Sequence, residues 1–137
     1  MPSSATKFLD PNVTQRCSRI PGGTIAAKRF VKVNASDHTK ADQAGANDKI
    51  LGVAETAGVS GDPDISIACA GHLAVDAGGT IAIGDEVNSD ANGKAVARGT
   101  TATTLYQCAG RALTQAASGE QVMVDFRPFS VWGANAS

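Results

Sequence analysis

A catalytic centre or a metal site needs groups that converge, and this 137-residue sequence offers four arrangements to test. His38, in a polar stretch, and His72, beside an apolar run, could share zinc with a cysteine, but no interval among them has a ligand spacing. Asn88-Ser89-Asp90-Ala91-Asn92-Gly93 imitates the first half of a calcium loop. Its twelfth position is Gly99 where the bidentate Glu should stand, so the segment reads as a hairpin turn. Gly93-Lys94-Ala95 lacks both the upstream glycine and the following hydroxyl of a phosphate-binding loop. Asp62-Pro63-Asp64 is a carboxylate pair that its proline holds on an exposed turn, without the desolvation that would set one pKa apart from the other. No nucleophile has a recognisable base beside it. The expectation is a protein with no catalytic residues, no metal and no cofactor: not an enzyme.

Composition narrows the class further. The chain is long enough for one domain with a packed core, and 42% of it is hydrophobic. Ala, Val, Ile and Gly dominate, while Phe8, Phe30, Tyr106, Phe126, Phe129 and Trp132 are the only aromatic residues. Small apolar side chains bury little area each, so a monomer built from them has modest stability and self-association is expected. The net charge of −1 argues against a nucleic-acid binder. Its distribution is uneven, however: residues 1–40 carry seven Lys and Arg against two Asp, and the remainder carries five against eleven acidic residues. A basic N-terminal segment on an acidic body suggests an acidic partner surface. The cysteines, Cys17, Cys69 and Cys108, are odd in number and form no CxxC. With no signal-peptide core at the N-terminus, synthesis in the cytoplasm with reduced thiols is expected. Cys69 and Cys108 lie in apolar strand-like runs and read as small core residues. No apolar run is long enough to span a membrane, so no membrane partner is expected.

The elements that must position these residues are strands. Residues 1–23 contain Pro2, Pro11, Pro21 and Gly22-Gly23 without any period, which predicts an extended N-terminal arm. Alternation then predicts strands over 24–33, 49–55, 65–75, 94–98, 103–113 and 121–129, with a polar loop, room for one helical turn, at 34–48. Ile81 and Ile83 also alternate, until Gly84-Asp85 breaks the run before Val87. Turn signals recur about every 8–12 residues, the rhythm of an all-β sandwich or barrel. A faint repeat relates Gly52-Val53-Ala54 and the strand carrying Ile65 and Ile67 to Gly110-Arg111-Ala112 and the strand carrying Val122 and Val124. The domain division expected is an arm at 1–23, a β domain at 24–130 and a tail at 131–137.

From about Ile20 to Pro128 the sequence resembles the phage capsid cement family of small head-decoration proteins. The resemblance rests on Lys49-Ile50-Leu51-Gly52-Val53-Ala54, on 65–71, and on Gly78-Gly79-Thr80-Ile81-Ala82-Ile83-Gly84-Asp85-Glu86-Val87 with Ser89–Ala95 behind it. Gly110-Arg111-Ala112-Leu113 and the stretch from Ala116 to Val124 complete it. Within it, Ile81 to Val87 places two core side chains about a Gly-Asp turn in which Asp85 can cap its own backbone. The arm is longer than the family's compact pattern, and the chain continues past Pro128.

The resemblance implies an all-β fold, a small β-barrel or β-tulip-like sandwich of short antiparallel strands. It also implies a non-enzymatic role: binding the outer surface of an icosahedral phage head, with the major capsid protein and further copies of itself, as a homotrimer, for partners. The alternatives are another virion or tail β module and, behind that, a small ligand-binding barrel. The basic residues Arg16, Arg19, Lys28 and Arg29 are expected to meet the capsid, and deleting residues 1–19 is expected to abolish binding while sparing the fold. Trp132 is either a staple onto the core or a subunit contact.

Overall fold

The computed structural model describes residues 12–133, and these form nine strands and no α-helix. They are β1 Val13–Pro21, β2 Phe30–Val33, β3 Lys40–Gln43, β4 Gly52–Ala54, β5 Ile65–Asp76, β6 Glu86–Ser89, β7 Ala95–Ala97, β8 Leu105–Ala112 and β9 Gln121–Trp132. The expected all-β architecture is present. All nine belong to one sheet in the order β1-β3-β2-β4-β5-β9-β8-β6-β7, in which β1 also pairs with β5. The first five strands therefore close on themselves, while the other four extend the sheet from β5. Every strand pairing is antiparallel except β1 with β3.

Strand β5 is the element on which the architecture turns. Its first half, from Ile65, pairs with β1 and β4, and its second half, Gly71–Asp76, pairs with β9. Gly71 sits between the two, opposite Val13 on one edge and Phe126 on the other, with φ at +106°. The chain thus builds the same unit twice and shares β5 between the copies. Cys17 faces Ile67 and Arg19 faces Ile65 in the first unit, as Leu73 faces Val124 and Val75 faces Val122 in the second. Ile25 and Gly58 exchange both backbone hydrogen bonds, and so do Ile81 and Ala116. The Lys28 amide donates to Ala54 O at 2.8 Å, and the Gly84 amide to Ala112 O at 2.8 Å. Lys28 and Gly84 both have positive φ, which glycine adopts freely and lysine does not. The parallel pairing of Pro21 with Ala41 returns as a bridge between Ala77 and Ala95. The repeat seen at 52–67 and 110–124 is one part of this larger duplication.

Two cores result. The smaller, of Ile25, Val31, Ala41, Ala54, Ile65 and Ile67 with Cys17 and Leu51 against it, fills the first unit. The larger draws on both units, joining Phe30, Val53 and Ala68 to Leu73, Val75, Ile81, Val87, Val122 and Val124. Phe30 is the largest fully buried side chain. The rest are Ala, Val, Ile and Leu apart from Phe126, so each layer is thin and backbone approaches are close.

Three sequence expectations need revision. Val13–Pro21, placed in an extended arm, is a strand with neighbours on both sides. Its alternation is hidden because Arg16 and Ser18 occupy one face and Cys17 and Arg19 the other, with a bulge at Thr14. Deleting residues 1–19 would consequently strip the sheet. Residues 1–11, the first part of the expected arm, and 134–137, most of the expected tail, lie outside the described residues. The polar stretch 34–48 holds no helical turn but contains β3, whose Lys40 and Asp42 lie between two strands that supply its ladder. The strand expected over 24–33 is reduced to Phe30–Val33, with Ile25 in an isolated bridge.

Candidate functional site

Several of the acidic side chains are consumed by turns. Asp85 Oδ2 accepts the Ala82 amide at 2.9 Å, closing the Gly-Asp turn as the sequence suggests, with Gly84 at φ +89°. Asp62 accepts the Val59 amide, Glu120 the Ala117 amide, and Asp90 Oδ1 the amides of Asn92 and Lys94. The calcium-like segment is therefore the hairpin between β6 and β7. Such carboxylates fix loop geometry and are spoken for before any ligand arrives. Asp48 does two jobs, accepting the Gly45 amide and pairing with Lys32 Nζ at 2.9 Å. The lysine contact holds its carboxyl below the ordinary range, against the opposing effect of burial. His38 is in an exposed loop; His72 Nε2 lies 3.9 Å from Asp125 Oδ1, which Arg127 also approaches at 3.4 Å. Among the described residues no three His, Cys, Asp or Glu side chains gather as metal ligands would.

The four cations expected to meet the capsid are dispersed over the first unit. Arg16 and Arg19 project from opposite faces of β1, as strand alternation requires three residues apart. Arg16 Nε donates to both Glu55 oxygens, at 2.9 and 3.1 Å, and Ser66 Oγ donates to Glu55 Oε1 at 2.6 Å. Arg29 Nε donates to Asp76 Oδ2 at 3.1 Å, tying the turn before β2 to the end of β5. These two hold the fold together. Lys28 makes no ion pair among the described residues, nor does Arg19, whose Nη1 donates to Ser18 O at 2.8 Å.

The surface also exposes apolar side chains that the fold does not need. Ile83 is 68% exposed, and Leu113, beside it across the Gly84–Ala112 hydrogen bond, is 40% exposed. The duplication provides an internal control: the equivalent positions in the first unit are Ala27 and Glu55. The same backbone closes there without either large apolar group, so Ile83 and Leu113 are decorations on a shared frame. A second exposed feature is the end of the β8–β9 pair. Past Phe126, β9 leaves β5 and continues with β8 alone to the pairing of Leu105 with Trp132. On the outer edge of β8, Asn47 imitates a strand, accepting the Gln107 amide and donating to Leu105 O. Trp132 is 50% exposed and belongs to neither core.

Comparison with known proteins fits this arrangement. The family model described as phage cement protein matches residues 12–127, nearly the whole described chain. The chain belongs to the phage cement protein family. The fold is also that of a solved structure, the head fiber gp8.5 N base in bacteriophage phi29, at a TM-score of 0.68 and 21% identity. That match covers 82% of this chain and 93% of the other. No curated protein sequence matches. Membership gives the chain its role, a structural component of the virion that decorates and cements the capsid.

A cement protein works through the surface it presents, and sequence reasoning did not single out the exposed Ile83 and Leu113. Ile83 and Leu113 were inside the resembling stretches but read as strand residues. The signal that could have singled them out is the pentapeptide Gly-Gly-Thr-Ile-Ala, present at 22–26 and again at 78–82. Aligning the two copies puts Ile83 opposite Ala27 at once.

Proposed function

We propose that the protein sits on the outer surface of an icosahedral phage head, bound to the major capsid protein, and strengthens the shell without catalysing a reaction. The observation that carries this reading is the family match across the sheet, combined with a solvent-facing apolar pair that the fold itself leaves unused. In this reading Ile83 and Leu113 dock on the capsid, and Arg19 and Lys28 add charge contacts from the first unit. Arg16 and Arg29 contribute by keeping their elements in place. The protein acts as a homotrimer in which Trp132 and the β8–β9 end form the subunit contact. Trimerisation multiplies modest contacts into durable attachment, since the second and third are made at high effective concentration. Synthesis in the host cytoplasm precedes that attachment.

Leu113→Glu tests the docking surface, because the first unit already carries Glu55 at the matching position and the backbone tolerates it. The variant is expected to melt within about 2 °C of the parent yet cosediment with undecorated capsids at least roughly tenfold less well, a loss of about 1.4 kcal/mol per site. Full binding by this variant and by Ile83→Asp would remove the proposed surface. Trp132→Ala is expected to convert the trimer to monomer in light scattering while leaving the melt of the fold nearly unchanged. A parent protein that is itself monomeric at micromolar concentration would refute the subunit contact.

A further inference from the structure

Cys17 and Cys69 lie on neighbouring strands and face the same space. Cys17 stands opposite Ile67 in the β1–β5 ladder and packs against the smaller core. Cys69 is two residues beyond Ile67 in β5, next to the stretch of that strand that pairs with Cys17. Cys69 is itself the extra residue of a bulge in β5, where Arg16 pairs with Ala68 and Gln15 with Ala70, so no backbone partner in β1 stands opposite it. Its Sγ donates to Gln15 O at 3.6 Å, and the Cys17 thiol lies near enough to act on its ionisation. The second unit has Leu73 and Phe126 at the matching positions, and both belong to the larger core. Apolar packing is the unmodified solution there, and a pair of partly exposed thiols replaces it in the first unit. Cys108 is buried between β6 and β9, away from both.

We propose that Cys17 and Cys69 are a disulfide-forming pair that staples β1 to β5 when the protein meets a low-molecular-weight disulfide. The thiolate of one cysteine attacks the small disulfide, forming a mixed disulfide and releasing one small thiol. The thiolate of the other then attacks the protein sulfur of that mixed disulfide, forming the Cys17–Cys69 bond and releasing the second small thiol. The two protein thiol protons leave with the two released thiols, so one small disulfide is reduced for each staple made. Burial, then the Cys17 contact, push the Cys69 thiol up to about 11. Closure is therefore slow at neutral pH and faster at pH 9, because the thiolate is the attacking form. A virion component leaves a reducing cell for an oxidising exterior. The staple encloses β2, β3 and β4 in one covalent loop and locks the first unit after it has folded.

The test is incubation of the purified full chain with oxidised glutathione at pH 8.5, followed by intact and peptide mass spectrometry. The expected product has lost two daltons, yields one peptide linking Cys17 to Cys69, and melts roughly 10 °C higher until a reductant reverses the change. Cys108→Ser is expected to behave as the parent, whereas Cys17→Ser and Cys69→Ser each stop at a glutathione adduct or remain unmodified. Stable glutathione adducts on both cysteines of the parent would overturn the proposal. So would a link through Cys108, a link between chains, or a Cys17–Cys69 bond that leaves the melting temperature unchanged.

Discussion

Removing residues 1–19 is expected to abolish cooperative folding, whereas removing residues 1–11 leaves the melting temperature within about 2 °C of the full chain. The described sheet begins at Val13, and β1 closes the first unit by pairing with β5 from Val13 to Arg19 and with β3 at Ile20 and Pro21. Without it, the smaller core loses Cys17 from one wall, and β5 presents an unpaired edge with Ile65 and Ile67 behind it. The loss exceeds roughly 5 kcal/mol, comparable to the whole stability of a small domain, and an open apolar edge invites aggregation. Circular dichroism melts and size-exclusion profiles of the two truncations decide the matter. A cooperative, monodisperse product lacking 1–19 would show that β1 is dispensable.

Gly71→Ala is expected to cost about 3–5 kcal/mol and lower the melting temperature by roughly 10 °C or more. A methyl group there would lie 2.2 Å from Asn12 O and 2.8 Å from Thr14 N, both backbone atoms that cannot swing aside. Its φ of +106° adds strain that any L side chain feels. Gly71 faces β1 and β9 at once, so relieving the clash on one side disturbs the other unit. Gly61→Ala is the matched control: φ is +95° there, but nothing lies within 4 Å of the added carbon. It is expected to cost only about 1–2 kcal/mol, the conformational part of the penalty. Equal effects of the two substitutions would mean that the close approach of β1 to β5 is not what Gly71 permits.

The fold class was legible because alternation and turn chemistry are local. Asp85, Asp62 and Asp90 each sit where a short carboxylate can take an amide two to four residues away, and the structure uses them so. The turns of the β6–β7 hairpin and of 81–87 follow from those residues alone. What remained hidden depended on pairing between distant segments. β3, with the sequence Lys-Ala-Asp-Gln, has no strand propensity; its strand character comes from β1 and β2 on either side. β1 reads as an open arm because its partner lies some 50 residues away, and its bulge breaks the alternation. The same gap hides the ion pairs of two of the cations, since neither Glu55 nor Asp76 stands near Arg16 or Arg29 in sequence. The duplication, by contrast, was readable from the repeated Gly-Gly-Thr-Ile-Ala and would have supplied β1 as the counterpart of the second half of β5. Its value goes beyond topology, because two copies of one frame separate what folding demands from what only one copy displays.

In the proposed function the protein seats a rigid β frame on the outside of a phage head. The most direct measurement is cryo-microscopy of undecorated, expanded capsids mixed with the purified protein. Regularly placed external density is expected, fitted by the nine-strand frame with Ile83 and Leu113 toward the shell and lost with Leu113→Glu. Capsids that remain bare at saturating protein, or density confined to a tail, would contradict it.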